Sequence, residues 1–600
     1  MRIIGKILAW IGGFVVVFTL AIVAMVVYFA KKTPKIEKGT IIELVIDKDF
    51  SEQASMGFLG SGKSKSIFET VSTIHLASLD PNVSGLVAHI RFHGMKFAHA
   101  QELRMAIEDF RKSGKKTVAY AESFGEFGPA NTSYYLAAGF DKIWISKAGA
   151  VGLTGFAIDS PFVKKLLVEK LGIKPEFFAR KEYKNAVNMF TQTKFTPEHK
   201  EATVGILQSW FDQLVSGVKE ARKLSKEEVV SAIDEAPLSA NRALELHLVD
   251  GLYDRKEAYT EAAKYMGSDE SKRLYLDKYK ESTQVNNQEP EALQIALIYG
   301  VGEVTAGQSK RDPFSTDSSL GAATVSAAFR KAADDPKIKG VVFRVSSPGG
   351  SYIASDIVWQ SIRHYKKTGK PLIVSMGDMA ASGGYFVAMQ ADSIVALPST
   401  LTGSIGVFAG KVDARGFMED KLGVTLDGVS FGKNANMWSM VHPYSKDESD
   451  KINKWLDAVY QDFTTKAALG RKMPLEKMQL LAKGRVWTGL DAKNNGLVDE
   501  IGGLFDAIQL LKKTLKITGV AKLVVLPEAP DSFEAIIRAF VDPSKNSDYD
   551  TGVNLQSDGL SDVSALLHWF RAMGVSQLLN KQTEQTLKAD ESSQLTSQAN

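Results

Sequence analysis

Apolar residues fall along this chain in three kinds of run, and each kind predicts a different element. The first is "ILAWIGGFVVVFTLAIVAMVVYFA", residues Ile7–Ala30, 24 positions without a charge. As a helix it would rise about 36 Å, enough to cross a hydrocarbon core of about 30 Å. It ends in "YFAKKTPK" rather than in small residues before a cleavage site, so it predicts a retained single-pass anchor rather than a removed signal peptide. No second stretch of that length follows, which places the rest of the chain on one side of a membrane. The second kind is short and β-branched: "QIALIYGVGEV" (294–304), "KGVVFRV" (339–345), "KPLIVSMG" (370–377) and "DSIVALP" (392–398). Bounded by Gly, Pro or Asp, these read as strands. The third is a helical stripe. "ASDIVWQSIRHYKKTG" (354–369) puts Ile357, Val358, Ile362 and Tyr365 on one face and ends at Gly369. Strands alternating with helices predict an α/β architecture with a largely parallel sheet.

The pattern then repeats. "SGLVAHIRFHG" (84–94) matches "KGVVFRVSSPG" (339–349), and "KSGKKTVAY" (112–120) matches "KTGKPLIVS" (367–375), both at an offset of 255. "YYLAAGFDKIWIS" matches "YFVAMQADSIVAL", and "VGLTGF" matches "TGSIGVF", at 251. "YKNAVNMF" matches "GKNANMWS", and "LHLVDGL" matches "NGLVDEI", at 249. Such slow drift marks a tandem duplication. The predicted division is an anchor at 1–35, a first repeat at 36–280, a second at 281–540 and a polar tail at 541–600. The joint lies near the polar stretch "YKESTQVNNQEPEA" (279–292). In the tail, "SDVSALLHWFRAMG" (561–574) reads as a small amphipathic helix, and 580–600 is too poor in apolar residues to pack.

Composition narrows the chemistry. Six hundred residues require more than one core. A net charge of +4 and the absence of a nucleic-acid signature argue against a nucleic-acid partner. There is no cysteine, which removes disulfides, thiolate catalysis and cysteine-ligated metals. Basic residues flank both ends of the apolar run: Arg2 and Lys6 on one side, Lys31, Lys32, Lys35 and Lys38 on the other. Their count alone favours a cytoplasmic body.

The candidate chemistry lies in "MAASGGYF" (379–386). Ser382 follows a strand and opens a helix, where backbone N–H groups and the positive helix end favour negative charge. The amide of Gly383, the residue after the serine, is a natural oxyanion donor. "VSSPGGS" (345–351), a glycine-rich turn after another strand, offers a second donor from Gly349. Either stretch alone is also an ordinary turn. In the first repeat the counterpart of Ser382 is Asn131, Gly383–Gly384 become Thr132–Ser133, and Gly349–Gly350 become Gly94–Met95. Loss in one copy is what a single working site predicts.

A serine hydroxyl needs a base. His364 lies in a helix and His442 in a loop, neither in a triad-like context, while His89, His93 and His99 cluster in the first repeat; no metal site is expected of them. A lysine can serve if burial lowers its pKa. Lys184 in "RKEYKNAVNMF" and Lys433 in "FGKNANMW" occupy matching places in the two repeats. Either could equally be a solvated surface lysine.

"VSSPGGS", "MAASGGYFVAMQADSIVALPSTLTGSIGVF" and "EYKNAVNMF" together resemble the signal peptide peptidase A family in its long, duplicated protease IV form. The resemblance covers most of 40–520 and the layout of an anchor before two repeats. It implies a ClpP/crotonase-like fold for each repeat, no cofactor, and a Ser–Lys dyad that degrades cleaved signal peptides and other apolar peptides. Carried over, Ser382 is the nucleophile, Lys184 the general base from the first repeat, and the Gly349 and Gly383 amides the oxyanion hole. Lys433 is the alternative base, because in short, single-unit relatives the lysine follows the serine within one unit and Lys433 stands 51 residues after Ser382. "YKNAV" followed by an aromatic fits the long form better. The resemblance further implies a homotetramer with dyads formed between neighbouring protomers. It implies a body on the outer, periplasmic face of the bacterial cytoplasmic membrane, against the charge count, and the resemblance is preferred there. The apolar stretch "MWSMVHPY" (437–444) is expected near the substrate groove. A crotonase-like acyl-CoA enzyme and an inactive membrane scaffold are the alternatives.

Overall fold

The computed structural model describes residues 36–53, 65–284, 293–310, 318–519 and 521–527. The predicted anchor Ile7–Ala30 and the tail 541–600 lie outside them. None of the described helices is long and apolar enough to cross a membrane.

The described residues form two compact units whose boundary is not that of the repeats. One unit runs to Phe156 and resumes at Phe211–Ala292; the other holds Ala157–Trp210 and the chain from Leu293 onward. Lys184, which belongs to the first repeat in sequence, is therefore built into the same unit as Ser382.

In the first unit, β1 (Thr40–Ile46), β2 (Val83–Ile90), β3 (Lys116–Ala121) and β4 (Lys142–Ile145) form a parallel sheet in the order β4-β3-β2-β1. Short strands Gly251–Leu252 and Arg273–Tyr275 extend it beside β4 and β1. Apolar runs buried along nearly their whole length, such as β2, are what a parallel sheet covered on both faces requires.

The second unit contributes β5 (Lys174–Arg180), β6 (Gln294–Val301), β7 (Ile338–Ser347), β8 (Leu372–Ala381), β9 (Ser393–Ala396), β10 (Leu401–Gly403), β11 (Val407–Asp413) and β12 (Lys522–Leu526). The main run of its sheet is Glu500–Ile501, β9, β8, β7, β6, β12, parallel and in the same order as the first sheet, while β10 and the antiparallel Val486–Thr488 extend the sheet from the end of β8. The duplication read from the offsets is thus a duplication of topology. The predicted strand runs all fall on strands. Helix α1 (Tyr352–Lys366) buries Val358, Trp359, Ile362 and Tyr365, with Ser351 capping its first turn. Its stripe is turned from the predicted one, leaving Ile357 36% exposed. The second core joins these side chains to Val341, Phe343 and Val345 of β7, Val374 and Met376 of β8, and Phe386.

Two departures from regularity prepare the site. First, β8 is longer than its counterpart β3. Its start pairs with β9 through Ile373–Met376, and its end, Met379–Ala381, crosses to β10. Its register with β7 slips between Val345, opposite Met376, and Ser347, opposite Ala380. That irregularity bends the strand end and carries the chain straight into Ser382. Second, β5 and β11 form an antiparallel ribbon, with Arg180 opposite Val407. The end of the ribbon sets the loop after Arg180 beside the loop between β10 and β11.

Candidate active site

Ser382 sits between β8 and the short helix α2 (Gly383–Ala388) with φ +55° and ψ −117°. A non-glycine residue there is strained, and such strain persists only when its surroundings hold it. Here the Ser382 N–H donates to the Gly403 carbonyl at 2.9 Å, and its own carbonyl accepts from Phe386 N–H at 2.9 Å. A sharp strand-to-helix turn of this kind presents the side-chain oxygen rather than burying it. The neighbours must be small. A Cβ on Gly349, whose φ is +105°, would stand 2.7 Å from Ser382 Cβ, and one on Gly383 would stand 2.7 Å from Ser355 Oγ.

Lys184 follows the end of the ribbon, and its side chain is 5% exposed. Its Nζ lies 3.0 Å from Ser382 Oγ, 2.9 Å from the Ser404 carbonyl and 3.0 Å from Ser404 Oγ. A neutral amine has two N–H donors and one lone pair, so two acceptors on Ser404 and one hydroxyl donor on Ser382 satisfy it without a carboxylate. Burial lowers the pKa of Lys184 from 10.5 to about 7. Both groups come from one chain, so the expectation of a dyad split between protomers is not met here.

Lys433 is elsewhere. It is 77% exposed and pairs with Asp447 at 3.2 Å, the setting of a solvated lysine. Among the expected oxyanion donors, the Gly383 N–H is the first of a helix and has no intrahelical acceptor. The Gly349 N–H instead donates to Ser347 Oγ at 3.2 Å. Gly349 also accepts from Val304 N–H through its carbonyl, and Ser351 N–H donates to the Val304 carbonyl. The amide between them, that of Gly350, lies 3.1 Å from the position of a Cβ on Gly383. Gly350 lines the same cavity as Ser382, and the sequence does not single it out as a donor.

Ser404 was missed as well. It has no signature beyond standing in "TGSIGVF". The only available signal was that its counterpart at an offset of 251 is Leu153.

Ser382 and Lys184 line a cavity of about 380 Å³. Met189, Phe190, Tyr352, Phe386, Trp455 and Phe463 form much of its wall, and Gly349, Gly350 and Gly383 line the same space. Tyr352 is held by its hydroxyl, which donates to Asp462 at 2.6 Å. The stretch 437–444 does not line it: Met437 packs beside Ile452 and Leu456, and Trp438 is 53% exposed. His89, His93 and His99 lie in the other unit. His89 Nε2 is 2.8 Å from Glu122, His93 Nδ1 is 2.9 Å from Ser133 Oγ, and His99 stands between Asp49 and Glu52.

Comparison with known proteins identifies a peptidase family. The profile of peptidase family S49 matches residues 109–269 and 364–518, one segment in each repeat. Protease 4 of Salmonella typhi is 33% identical over 452 residues, covering 74% of this chain and 71% of that protein. The chloroplastic serine protease SPPA of Arabidopsis thaliana is 30% identical over 495 residues, covering 82% and 71%. An Enterococcus faecium protein provisionally named signal peptide peptidase SppA is 37% identical over 190 residues, covering 32% and 55%. A solved structure of a ClpP1 mutant from Listeria monocytogenes covers 35% of this chain and 94% of its own at 15% identity, with a TM-score of 0.23, too slight a likeness to define the fold. On the two matched segments and on identity spread over most of its length, the chain belongs to peptidase family S49 and is a serine peptidase.

Proposed function

We propose that this chain is a membrane-anchored endopeptidase that cleaves apolar peptides, released signal peptides among them, with Ser382 as nucleophile and Lys184 as general base. One observation carries the reading: the 3.0 Å approach of a buried amine to the hydroxyl at the head of an apolar cavity. In the first step, the Ser382 hydroxyl passes its proton to neutral Lys184 as Oγ attacks the peptide carbonyl carbon. Negative charge develops on the carbonyl oxygen, where the amides of Gly383 and Gly350 would receive it; loss of one such donor costs about 3 kcal/mol. Lys184 then returns the proton to the leaving amine, and the C–N bond breaks. Water, deprotonated by the same lysine, releases the acyl group and restores the serine. Ser404, holding both amine hydrogens, keeps the lone pair aimed at Oγ. Aromatic and aliphatic walls suit the hydrophobic core of a signal sequence.

The apolar run Ile7–Ala30 supports a place in the cytoplasmic membrane, and the family resemblance supports its outer face. Assembly into a homotetramer has support in the repeat. The counterparts of β11 and β5 at an offset of 251 are 156–162 and 425–431. Neither carries a ladder among the described residues, and Val429 and Phe431 are 90% and 93% exposed. A second copy of this chain could supply each with its missing strand.

Turnover of a leucine-rich peptide by the detergent-solubilised full chain tests the reading. Ser382→Ala is expected to abolish cleavage, and a phosphonylating serine probe should modify Ser382 of the wild type. An unmodified Ser382 in a folded sample would overturn its assignment as the nucleophile.

A further inference from the structure

The turn Lys483–Gly484–Arg485 lies outside the cavity wall and touches no reacting atom, yet it binds both halves of the site. On one side the Lys483 carbonyl accepts from Tyr183 N–H at 3.1 Å. On the other, the Arg485 carbonyl accepts from Ser404 N–H at 2.7 Å, and the Gly484 N–H donates to the Ile405 carbonyl at 2.9 Å. Gly484 is pressed against the lysine between them. With φ +82°, a Cβ there would stand 2.6 Å from the Lys184 nitrogen and 2.7 Å from its Cα and Cβ. Gly406 completes the crossing, since a Cβ on it would meet the Arg180 carbonyl oxygen at 2.4 Å and Gly484 Cα at 2.9 Å. Three backbone segments meet here at a separation that side chains forbid.

Side chains brace the turn outside. Lys483 pairs with Glu182 at 3.0 Å, and Arg485 pairs with Glu201 at 2.6 Å. The Tyr183 hydroxyl donates to Glu201 at 2.8 Å, and the Arg485 guanidinium lies 5.1 Å from the Tyr183 ring centre and 4.5 Å from that of Trp487. The repeat adds an independent observation. Thr488 and Ser239 are matching helix caps, at an offset of 249. At that offset the first repeat has Asp234, Glu235 and Ala236 in place of Lys483, Gly484 and Arg485. The repeat that lacks the serine also lacks the turn.

We infer that Lys483–Gly484–Arg485 is the positioning element of the dyad: it locks the Lys184 backbone against the Ser404 loop, so that the amine reaches Ser382 Oγ while shut off from water. This rests on the reading of Lys184 as the base. The charged and titratable groups around Lys184 include Lys181, Glu182 and Tyr183 on its own loop, Lys483 and Arg485 on the turn, Tyr460 of the helix Lys446–Gly470, whose hydroxyl accepts from Lys483 N–H and whose ring lies under Lys181, Glu201 on the helix beyond, and Glu303 in the cavity. Depression of the Lys184 pKa arises from burial rather than from any of them, so loosening the turn must wet the amine and raise it.

The test is the pH profile of peptide turnover by the full chain in detergent, for wild type, Gly484→Ala, Lys184→Ala and Gly496→Ala. Gly496, at φ +88°, caps a helix elsewhere in the unit and imposes a similar backbone strain. For Gly484→Ala, kcat near neutral pH falls about a hundredfold, as for a reacting group misplaced by about an ångström. KM stays within about twofold. The rising limb of kcat moves to higher pH by about one unit or more, so that activity partly recovers in alkali. Gly496→Ala leaves the limb in place. If Gly484→Ala yields no folded protein, Arg485→Gln, which keeps the backbone and removes the pair with Glu201, should show a smaller shift in the same direction. An unmoved limb in the folded variant overturns the inference. With Lys184→Ala inactive, that result leaves the dyad standing; with Lys184→Ala active, the dyad reading itself falls.

Discussion

At the scale of single residues, the lysine is what distinguishes a site from a turn. Lys184 and Lys433 stand in similar local sequence, and nothing in either context says which is dry. Burial decides: one amine is enclosed with Ser404 and Ser382, the other is in solvent with Asp447. Enclosure has a thermodynamic signature. The unfolded chain holds the Lys184 proton up to about pH 10.5, the folded chain only to about 7. Between those values the unfolded state binds more protons, so stability rises with pH, and the cost of burial is largest at pH 7 and below. Lys184→Met should therefore stabilise the protein at pH 7, on the order of 3 kcal/mol, while abolishing turnover. Chemical denaturation at pH 7 and pH 9 checks this: the gap between variant and wild type should narrow at the higher pH. Ser404→Ala should lower kcat about tenfold or more, because the amine loses one of the two acceptors that aim it. Ser404 and Gly350 escaped sequence reasoning for one reason. Each acts through a backbone approach between segments far apart in the chain, which no local pattern encodes.

At the scale of elements, the short β-branched runs were legible because parallel strands buried on both faces need them. The bend at the end of β8 was not legible, since Gly377 and Asp378 read as the turn that ends a strand. The groove was also misplaced. The stretch 437–444 looked suited to it, but the wall is lined from helix α3 (Lys446–Gly470), whose Trp455, Val459 and Phe463 face the cavity. A helical stripe of that kind reads as ordinary core until the cavity beside it is seen. Narrowing the wall with Val459→Phe should discriminate against large apolar side chains by about tenfold or more in kcat/KM. The same variant should spare alanine-rich peptides. Paired leucine and alanine peptides measure the ratio.

At the scale of the whole molecule, the duplication was plain from the offsets, and the two sheets repeat one strand order. The cut between the compact units was not, because 157–210 is first-repeat sequence packed with the second unit. Its β5 finds its partner in β11, and the pairing offers a direct test of assembly. Continuing the register at an offset of 251 sets Ile158 of one copy opposite Val429 of another. The chain has no cysteine, so Ile158→Cys with Val429→Cys should give oxidative cross-links between copies in detergent. Asp159→Cys with Val429→Cys, one place out of register, should give far fewer.

The central claim is that an amine kept neutral by burial deprotonates Ser382. The rate at which a phosphonylating probe labels Ser382, followed across pH in wild type and Lys184→Ala, measures that without a peptide substrate. The account predicts a single ionisation near pH 7 in the wild type and near-complete loss of labelling in the variant. A rate that does not change with pH, or one that survives the loss of Lys184, would contradict it.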